Sequence, residues 1–108
     1  MNRPKRVRVG TFDYKIEYEK LLSEVPASGM TSSGTTTFYL NPNQDKQQLR
    51  DTLIHEVLHG LWKQTSLLVR FPDEDPDSPG ELIIQDLSAL LYAFIRDNKE
   101  VVAWLQKA

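Results

Sequence analysis

The sequence predicts a single α+β domain, in which a small, mainly antiparallel sheet packs on one helix and two more helices follow. Apolar and polar residues alternate over 6–19, which is the period of a strand. Apolar residues recur with a helical period over 45–63 and again over 78–96. The chain has 108 residues, of which 40% are hydrophobic and 26% are charged, and this composition suits one core and one domain.

Composition and charge exclude several classes of function. The formal net charge is −2, so we expect no basic surface for nucleic acid. The chain has no cysteine, which excludes disulfides, thiolate zinc fingers and cysteine nucleophiles. No apolar run approaches the ~20 residues of a membrane span, so we expect no membrane association. Basic residues cluster near the N-terminus, and we interpret 1–5 as a flexible, solvated tail that leads into a charged strand.

Strands are predicted in the first part of the chain. Within 6–19 the alternation changes parity at Gly10 and Thr11, which predicts a turn between the two strands of a curled antiparallel ribbon. Segment 21–33 contains proline and glycine and is predicted to be turn or loop. Segment 35–40 predicts another strand, which the turn sequence Asn-Pro-Asn at 41–43 ends.

Helices are predicted in the rest of the chain. Helix 45–63 is apolar over most of its circumference, so we expect it to be buried. In the run Ser78-Pro79-Gly80-Glu81, the serine is placed as N-cap, the proline at N1 and the glutamate at N3 of a capping box. The helix that begins there is expected to turn one face to the core, namely Ile83, Leu87, Leu90, Leu91 and Phe94. Asp97 and Asn98 end it, a short last helix covers 99–106, and Trp62 and Trp104 are assigned to the core.

The buried helix carries the motif His55-Glu56-Val57-Leu58-His59, which is an HExxH pattern. Residues four apart on a helix lie one above the other, so both imidazoles can reach one metal ion. Glu56 points to the neighbouring side, where a water on that ion would be activated, and a carboxylate there can act as general base. The chain has two histidines and both are in the motif. The alternative is a pair of core histidines that are satisfied by backbone or carboxylate groups, but such groups are costly to bury without a shared partner.

The segment 52–60, Thr-Leu-Ile-His-Glu-Val-Leu-His-Gly, resembles the active-site helix of the zincin metallopeptidases. The whole layout from about residue 6 resembles the very small zinc peptidases of phages and prophages, with a β-ribbon, a strand, the HExxH helix and a Glu-led helix that ends near Asp-Asn. The resemblance implies a Zn²⁺ cofactor, a peptide or protein substrate, a gluzincin-like site and a cytoplasmic location, in a bacterial host if the chain is phage-encoded. A monomer is the default, and the oligomeric state stays open.

A glutamate from a second helix would complete a gluzincin-like ligand set, and Glu81 is the position that matches. Its structural alternative is the capping box described above. Asp86, on the other border of the apolar stripe, is the second choice. The remaining acids of the loop are interpreted as a solvated, mobile segment that could instead cover the cleft; these are Asp73, Glu74, Asp75 and Asp77.

Three further features have functional and structural interpretations side by side. Gly60 either admits another backbone beside the metal or serves ordinary helix packing. Strand 35–40 either binds extended peptide by β-addition or is an inner strand of the sheet. A donor for the developing oxyanion is required, and the candidates, none of which stands in a motif, are Tyr39, Tyr92 and Arg70.

The sequence therefore predicts a zinc metallopeptidase with His55, His59 and Glu81 as metal ligands and Glu56 as general base. Two alternatives from other classes remain. One is a non-catalytic, zinc-stabilised protein-interaction module of the same fold, which would tolerate loss of the Glu56 carboxylate. The other is a metal-free helical adaptor, on which chelators would have no effect.

Overall fold

The computed structural model describes residues 3–19, 29–31 and 36–107. Within these residues the elements follow in the order β1 (Arg6–Val9), β2 (Phe12–Tyr18), β3 (Gly29–Thr31), β4 (Thr37–Leu40), α1 (Lys46–Lys63), α2 (Leu67–Arg70), α3 (Pro79–Asp97) and α4 (Lys99–Leu105). The α+β class is as predicted. None of the helices in these described segments is long and apolar enough to cross a membrane.

The four strands form one mixed sheet in the order β1-β2-β4-β3. β1 pairs with β2 and β3 pairs with β4 in antiparallel fashion, whereas the central pair of β2 and β4 is parallel. Two of the three pairings are thus antiparallel, as predicted, and the parallel central pair makes the sheet mixed. A parallel pair needs a connection of roughly a dozen residues or more, and the chain between β2 and β4 is long enough for it.

β3 and β4 correct two predictions about this part of the chain. Segment 29–31 is a strand and not a loop, while 21–28 and 32–33 of the predicted loop lie outside the described residues. β4 lies between β2 and β3, so it has no free edge for β-addition. The edge next to β4 belongs to β3, which also contacts α1.

The β1–β2 hairpin turns at Gly10, as the change of parity predicts. Gly10 has φ +59°, which glycine adopts without strain. Gln64, the residue after α1, forms two hydrogen bonds with this turn. Its side-chain amide donates to the carbonyl of Val9 at 2.7 Å and accepts from the backbone N–H of Thr11 at 3.0 Å. The C-terminal end of α1 is therefore tied directly to the hairpin.

The predicted buried helix α1 lies between the sheet and α3. Asp45 caps its first turn by accepting from the N–H of Gln48 at 2.8 Å. One core cluster joins α1 to the sheet around Val9, Tyr14 and Phe38, with the Tyr14 and Phe38 rings stacked 4.2 Å apart. A second cluster joins α1 to α3 and is formed by Leu58, Trp62 and Ile84. Because both faces of α1 are covered, the HExxH motif sits at the centre of the fold.

Gly60 belongs to the sheet side of α1. A Cβ at this position would lie 3.3 Å from side-chain atoms of Phe38 and Val9, and 3.4 Å from Tyr14. No backbone is among these nearest atoms, so the packing interpretation of Gly60 is the one that the geometry favours. The glycine lets α1 settle closely onto the core face of the hairpin and β4.

Helix α3 packs on α1 through a different face from the one predicted. The residues it buries are Gly80, Ile84 and Ser88. Four members of the predicted core face are exposed, namely Leu87, Leu90, Leu91 and Phe94. Trp62 is buried as expected, but the assignment of Trp104 to the core is wrong because 68% of its surface is exposed. The hydrophobic stripe with the helical period therefore faces outward in this chain.

Gly80 is a point of close contact between α3 and the loop before it, and it yields a prediction. A Cβ here would clash with the carbonyl oxygen of Phe71 and lie 2.7 Å from that of Pro72. Backbone atoms cannot move aside, so we expect Gly80→Ala to lower the free energy of unfolding by about 1–3 kcal/mol, as overpacking does. Urea unfolding measures this. Gly60→Ala is the matched control, since its neighbours are movable side chains; an equal or larger loss there would contradict the prediction.

Candidate metal centre

His55 and His59 meet on one side of α1. They stand four residues apart on a regular helix, so their rings lie one above the other with centroids 5.0 Å apart. The two Nε2 atoms are 3.3 Å apart, and both side chains are largely buried. Two imidazole nitrogens at this distance share one small volume of space, as ligands of a common cation do.

Glu81 from α3 brings its carboxylate to both histidines. Oε1 lies 3.0 Å from His55 Nε2, and Oε2 lies 2.6 Å from His59 Nε2. The ligand atoms of all three residues lie within 4.8 Å of one another. Ser78 occupies the N-cap position as predicted, but its hydroxyl donates to the carbonyl of Asp75 at 2.7 Å and caps nothing. Of the two interpretations of Glu81, the geometry favours contact with the histidines over the capping box.

Asp73 supplies a contact that sequence reasoning missed. Its Oδ2 accepts a hydrogen bond from His59 Nδ1 at 2.6 Å, and only 5% of its side chain is exposed. The interpretation of Asp73 as part of a solvated loop is therefore wrong, although Glu74, Asp75 and Asp77 are exposed as expected. Because a carboxylate accepts at Nδ1, that nitrogen carries a proton, and Nε2 is the nitrogen that would bind a metal.

Two hydrogen bonds from the helices hold Asp73 in place. Trp62 Nε1, three residues after His59 on α1, donates to the carbonyl of Phe71 at 2.8 Å. The N–H of Gly80, which precedes Glu81 on α3, donates to the carbonyl of Pro72 at 2.8 Å. The two residues before Asp73 are thus fixed to both helices that carry the candidate ligands. The only local signal in the sequence was the apolar Phe71 next to an otherwise acidic loop.

The donor set fits a small divalent cation. Ligands at 2.0–2.1 Å around tetrahedral zinc are about 3.3 Å from one another, and the two Nε2 atoms have this spacing. Carboxylates only accept, so without a cation each nitrogen that faces Glu81 must carry a proton. The side chains of Asp73 and Glu81 are 5% and 13% exposed, and a cation between the imidazoles would offset the cost of burying their charge.

Glu56 is the third polar residue of the motif and is 4% exposed. With 3.6 residues per turn, it lies about 60° around α1 from His59 and about 100° from His55. It therefore borders the side of the helix that carries the histidines. Among the carboxylates other than Glu81, it is the one that lies nearest in sequence to the two histidines.

The other predicted candidates lie elsewhere. Asp86 is exposed on α3 and belongs to no described metal-binding group. Tyr92 lies about 16 Å along α3 from Glu81, at 1.5 Å per residue. Arg70 is exposed, with its guanidinium 5.8 Å from the centre of the Phe71 ring. Tyr39 alternates on β4 with the fully buried Phe38, so it lies on the sheet face opposite α1. The structure brings none of these three oxyanion candidates to the cluster among its described contacts.

A cavity of ≈ 530 Å³ lies farther along the seam between α1 and α3. Its lining is mostly polar and includes Gln48, Asp51, Tyr92 and Arg96. Asp51 stands four residues before His55, so the cavity begins about one helical turn from the candidate metal ligands. None of the predicted metal ligands lines this cavity, and the candidate metal centre is therefore a separate feature of the same seam.

Comparison of the chain with protein-family models, with curated protein sequences and with solved structures gives no match.

Asp73 yields a prediction for metal affinity. Replacing Asp73 with asparagine removes the charged acceptor at His59 Nδ1, so we expect zinc affinity to fall by about 10–100-fold, as for other partners of metal-bound histidines. Competition with a chromophoric chelator measures this. Glu74→Gln, an exposed acid in the same loop, is the control and should bind as the unaltered chain does. Equal affinities in all three proteins would contradict the role given to Asp73.

Proposed function

We propose that this chain is a zinc-dependent metallopeptidase. The observation that carries the proposal is the convergence of His55 Nε2, His59 Nε2 and the Glu81 carboxylate from two helices, with an HExxH motif supplying the histidines. Two histidines and one glutamate form the ligand set of catalytic zinc sites that keep an open position for water or substrate. The buried carboxylate Glu56 and the hydrogen bond from His59 to Asp73 support the same proposal.

In peptide hydrolysis, different residues of the chain would bind the metal, orient a metal ligand and transfer the proton. His55, His59 and Glu81 would hold the metal, and Asp73 keeps His59 in the tautomer that leaves Nε2 unprotonated. When bound, zinc supplies Lewis acidity, which lowers the pKa of a water molecule to about 7 and polarises a peptide carbonyl. Glu56 accepts the proton as the water oxygen bonds to the carbonyl carbon. It then delivers that proton to the nitrogen as the C–N bond breaks.

The edge of β3 is the proposed binding place for the peptide backbone. β4, the strand that the sequence suggests for β-addition, is paired on both sides. β3 is the outermost strand next to it and contacts α1, which carries the motif. An extended peptide that adds to this edge would form main-chain hydrogen bonds that do not depend on its side chains. This supports a peptide or protein as substrate class.

The second candidate function is a zinc-stabilised interaction module that does not catalyse. The observation that favours it is the row of large apolar residues on the outer side of α3 and α4, which suits a protein partner. Both functions use the same metal ligands, and they differ in what Glu56 does.

The experiment that tests the proposal is peptide hydrolysis by the zinc-loaded chain. Quenched fluorescent peptide libraries report cleavage, and mass spectrometry of the products identifies the bond that is cut. Cleavage that stops with a chelator and returns with zinc supports the peptidase. Zinc binding without cleavage of any library supports the interaction module, and absence of zinc binding contradicts both.

A further inference from the structure

Helix α3 carries an apolar stripe, made of Ile83, Leu87, Leu90, Leu91 and Phe94, of which all but Ile83 are exposed in the described part of the chain. Ile83 is partly buried against the core at one end of the stripe, while Leu90 near its middle is 70% exposed. Helix α4, which follows α3 directly in the chain, also exposes apolar side chains, namely Val101, Trp104 and Leu105. The residues that α3 buries are Gly80, Ile84 and Ser88, so within the described residues the stripe beyond Ile83 is not part of either core cluster.

The size of this surface is that of an interface. An aromatic side chain presents about 150–250 Å² and an aliphatic one less, so the fractions exposed on these two helices leave several hundred Å² of apolar area. The largest apolar patch on a typical monomer is about 300–600 Å². A stable pair of proteins buries about 800 Å² on each partner. The apolar area exposed on these two helices is therefore of the size that one side of a protein–protein interface buries.

The spacing of the stripe indicates what covers it. Ile83, Leu87, Leu90 and Phe94 are separated by four, three and four residues, which is the spacing of a two-helix seam. This spacing reads the same in both directions along α3. Two antiparallel copies can therefore place Ile83 opposite Phe94 and Leu87 opposite Leu90, in the self-complementary manner that a two-fold axis requires.

Charge around the stripe supports the same occupant. Asp86 is the only charged residue between Ile83 and Phe94, so two such faces can meet without like-charge repulsion along the seam. α3 as a whole carries three acids and one arginine, the acids being Glu81, Asp86 and Asp97. This acidic balance disfavours docking on an anionic membrane surface, which attracts basic helices.

We propose that this chain forms a two-fold symmetric dimer through the apolar stripe of α3, with the two α3 helices antiparallel and α4 extending the contact. This inference is independent of the metal centre and of catalysis. Glu81 lies near the N-terminal end of α3, so the helix that forms the proposed dimer contact is also the helix that carries the third candidate ligand.

Sedimentation velocity of the full chain, from low micromolar concentration upward, tests the dimer. We expect twice the chain mass for the unaltered protein and the mass of one chain for Leu90→Asp, with circular dichroism unchanged because Leu90 is mostly solvent-exposed. Val69→Asp is the control: Val69 is 84% exposed on α2, which is not part of the proposed contact, and this variant should stay dimeric. A monomer at every concentration for the unaltered chain, or dissociation by both variants alike, would overturn the proposal.

Cysteine cross-linking tests the antiparallel arrangement, and the absence of cysteine from the chain makes single thiols unambiguous. A mixture of Ile83→Cys and Phe94→Cys chains should form a disulfide between the two variants. In an antiparallel pair, like positions lie about 16 Å apart along the axis, so Phe94→Cys by itself should stay reduced. Cross-linking of Phe94→Cys alone, with none in the mixture, would overturn the antiparallel pairing.

Discussion

We expect the purified chain to hold about one zinc ion per molecule and the His59→Ala variant to hold none. His59 is the residue on which the cluster depends, because it contacts Glu81 and His55 through Nε2 and Asp73 through Nδ1. Its loss removes one of three ligands and leaves two carboxylates with a partner missing. Zinc affinity should therefore fall by more than the roughly 10–100-fold expected for Asp73→Asn. Plasma mass spectrometry of both proteins measures the zinc content.

A pair of variants on α3 identifies the third ligand. Glu81→Gln should bind zinc far more weakly than the unaltered chain, because a neutral amide replaces the carboxylate between the two histidines. Asp86→Asn, an exposed acid five residues along the same helix, should bind zinc normally. If Asp86→Asn lost zinc and Glu81→Gln kept it, the third ligand would be Asp86 and not Glu81. An unaltered chain with no zinc, and with no rise in Tm when zinc is added, would leave the histidines as a core pair held by Asp73 and Glu81.

The second large effect is expected from Glu56→Gln, which should bind zinc as the unaltered chain does and lose peptide hydrolysis by about 10²–10⁴-fold. Glutamine has nearly the shape of glutamate but cannot take a proton from the attacking water. Zinc content, Tm and the rate of cleavage are measured on the same preparation, so that a folding defect is separated from a chemical one.

The outcome for Glu56 separates the functions that share the metal centre. Glu74→Gln, on the exposed loop, is the matched control and should retain full activity. Normal cleavage by Glu56→Gln would assign the general base to another group. A chain that binds zinc and cleaves nothing, with or without the substitution, would be the interaction module, and a chain unaffected by chelators would be the metal-free adaptor.

Much of the fold was predictable because its signals are local. The parity change at Gly10 and the helix start at Ser78 each depend on a few neighbouring residues, and each stands where predicted. The parallel pairing of β2 with β4 was not predictable in the same way. It depends on how the long connection between these two strands returns the chain to the same sheet. The sequence of that connection has no alternation of apolar and polar residues that would predict the pairing.

The apolar stripe of α3 shows where a local signal misleads. The helical period identifies an apolar face correctly, but it does not say which surface covers that face. α3 buries Ile84 against Leu58 and Trp62 of α1, with the smaller Gly80 and Ser88 one turn to either side, and most of the other large apolar residues of α3 are left exposed. The choice between the two faces is made by helix packing, which no single segment encodes.

By itself the sequence determined that His55 and His59 share one face of a helix with Glu56 beside them, because a spacing of four residues sets this geometry wherever the helix lies. Only the tertiary structure decided that Glu81 reaches both imidazoles and that Asp73, fourteen residues from His59, is buried against Nδ1. These contacts depend on the crossing of α1 and α3 and on the bonds that hold Phe71 and Pro72. Long-range packing, unlike helical periodicity, is a property of the whole chain.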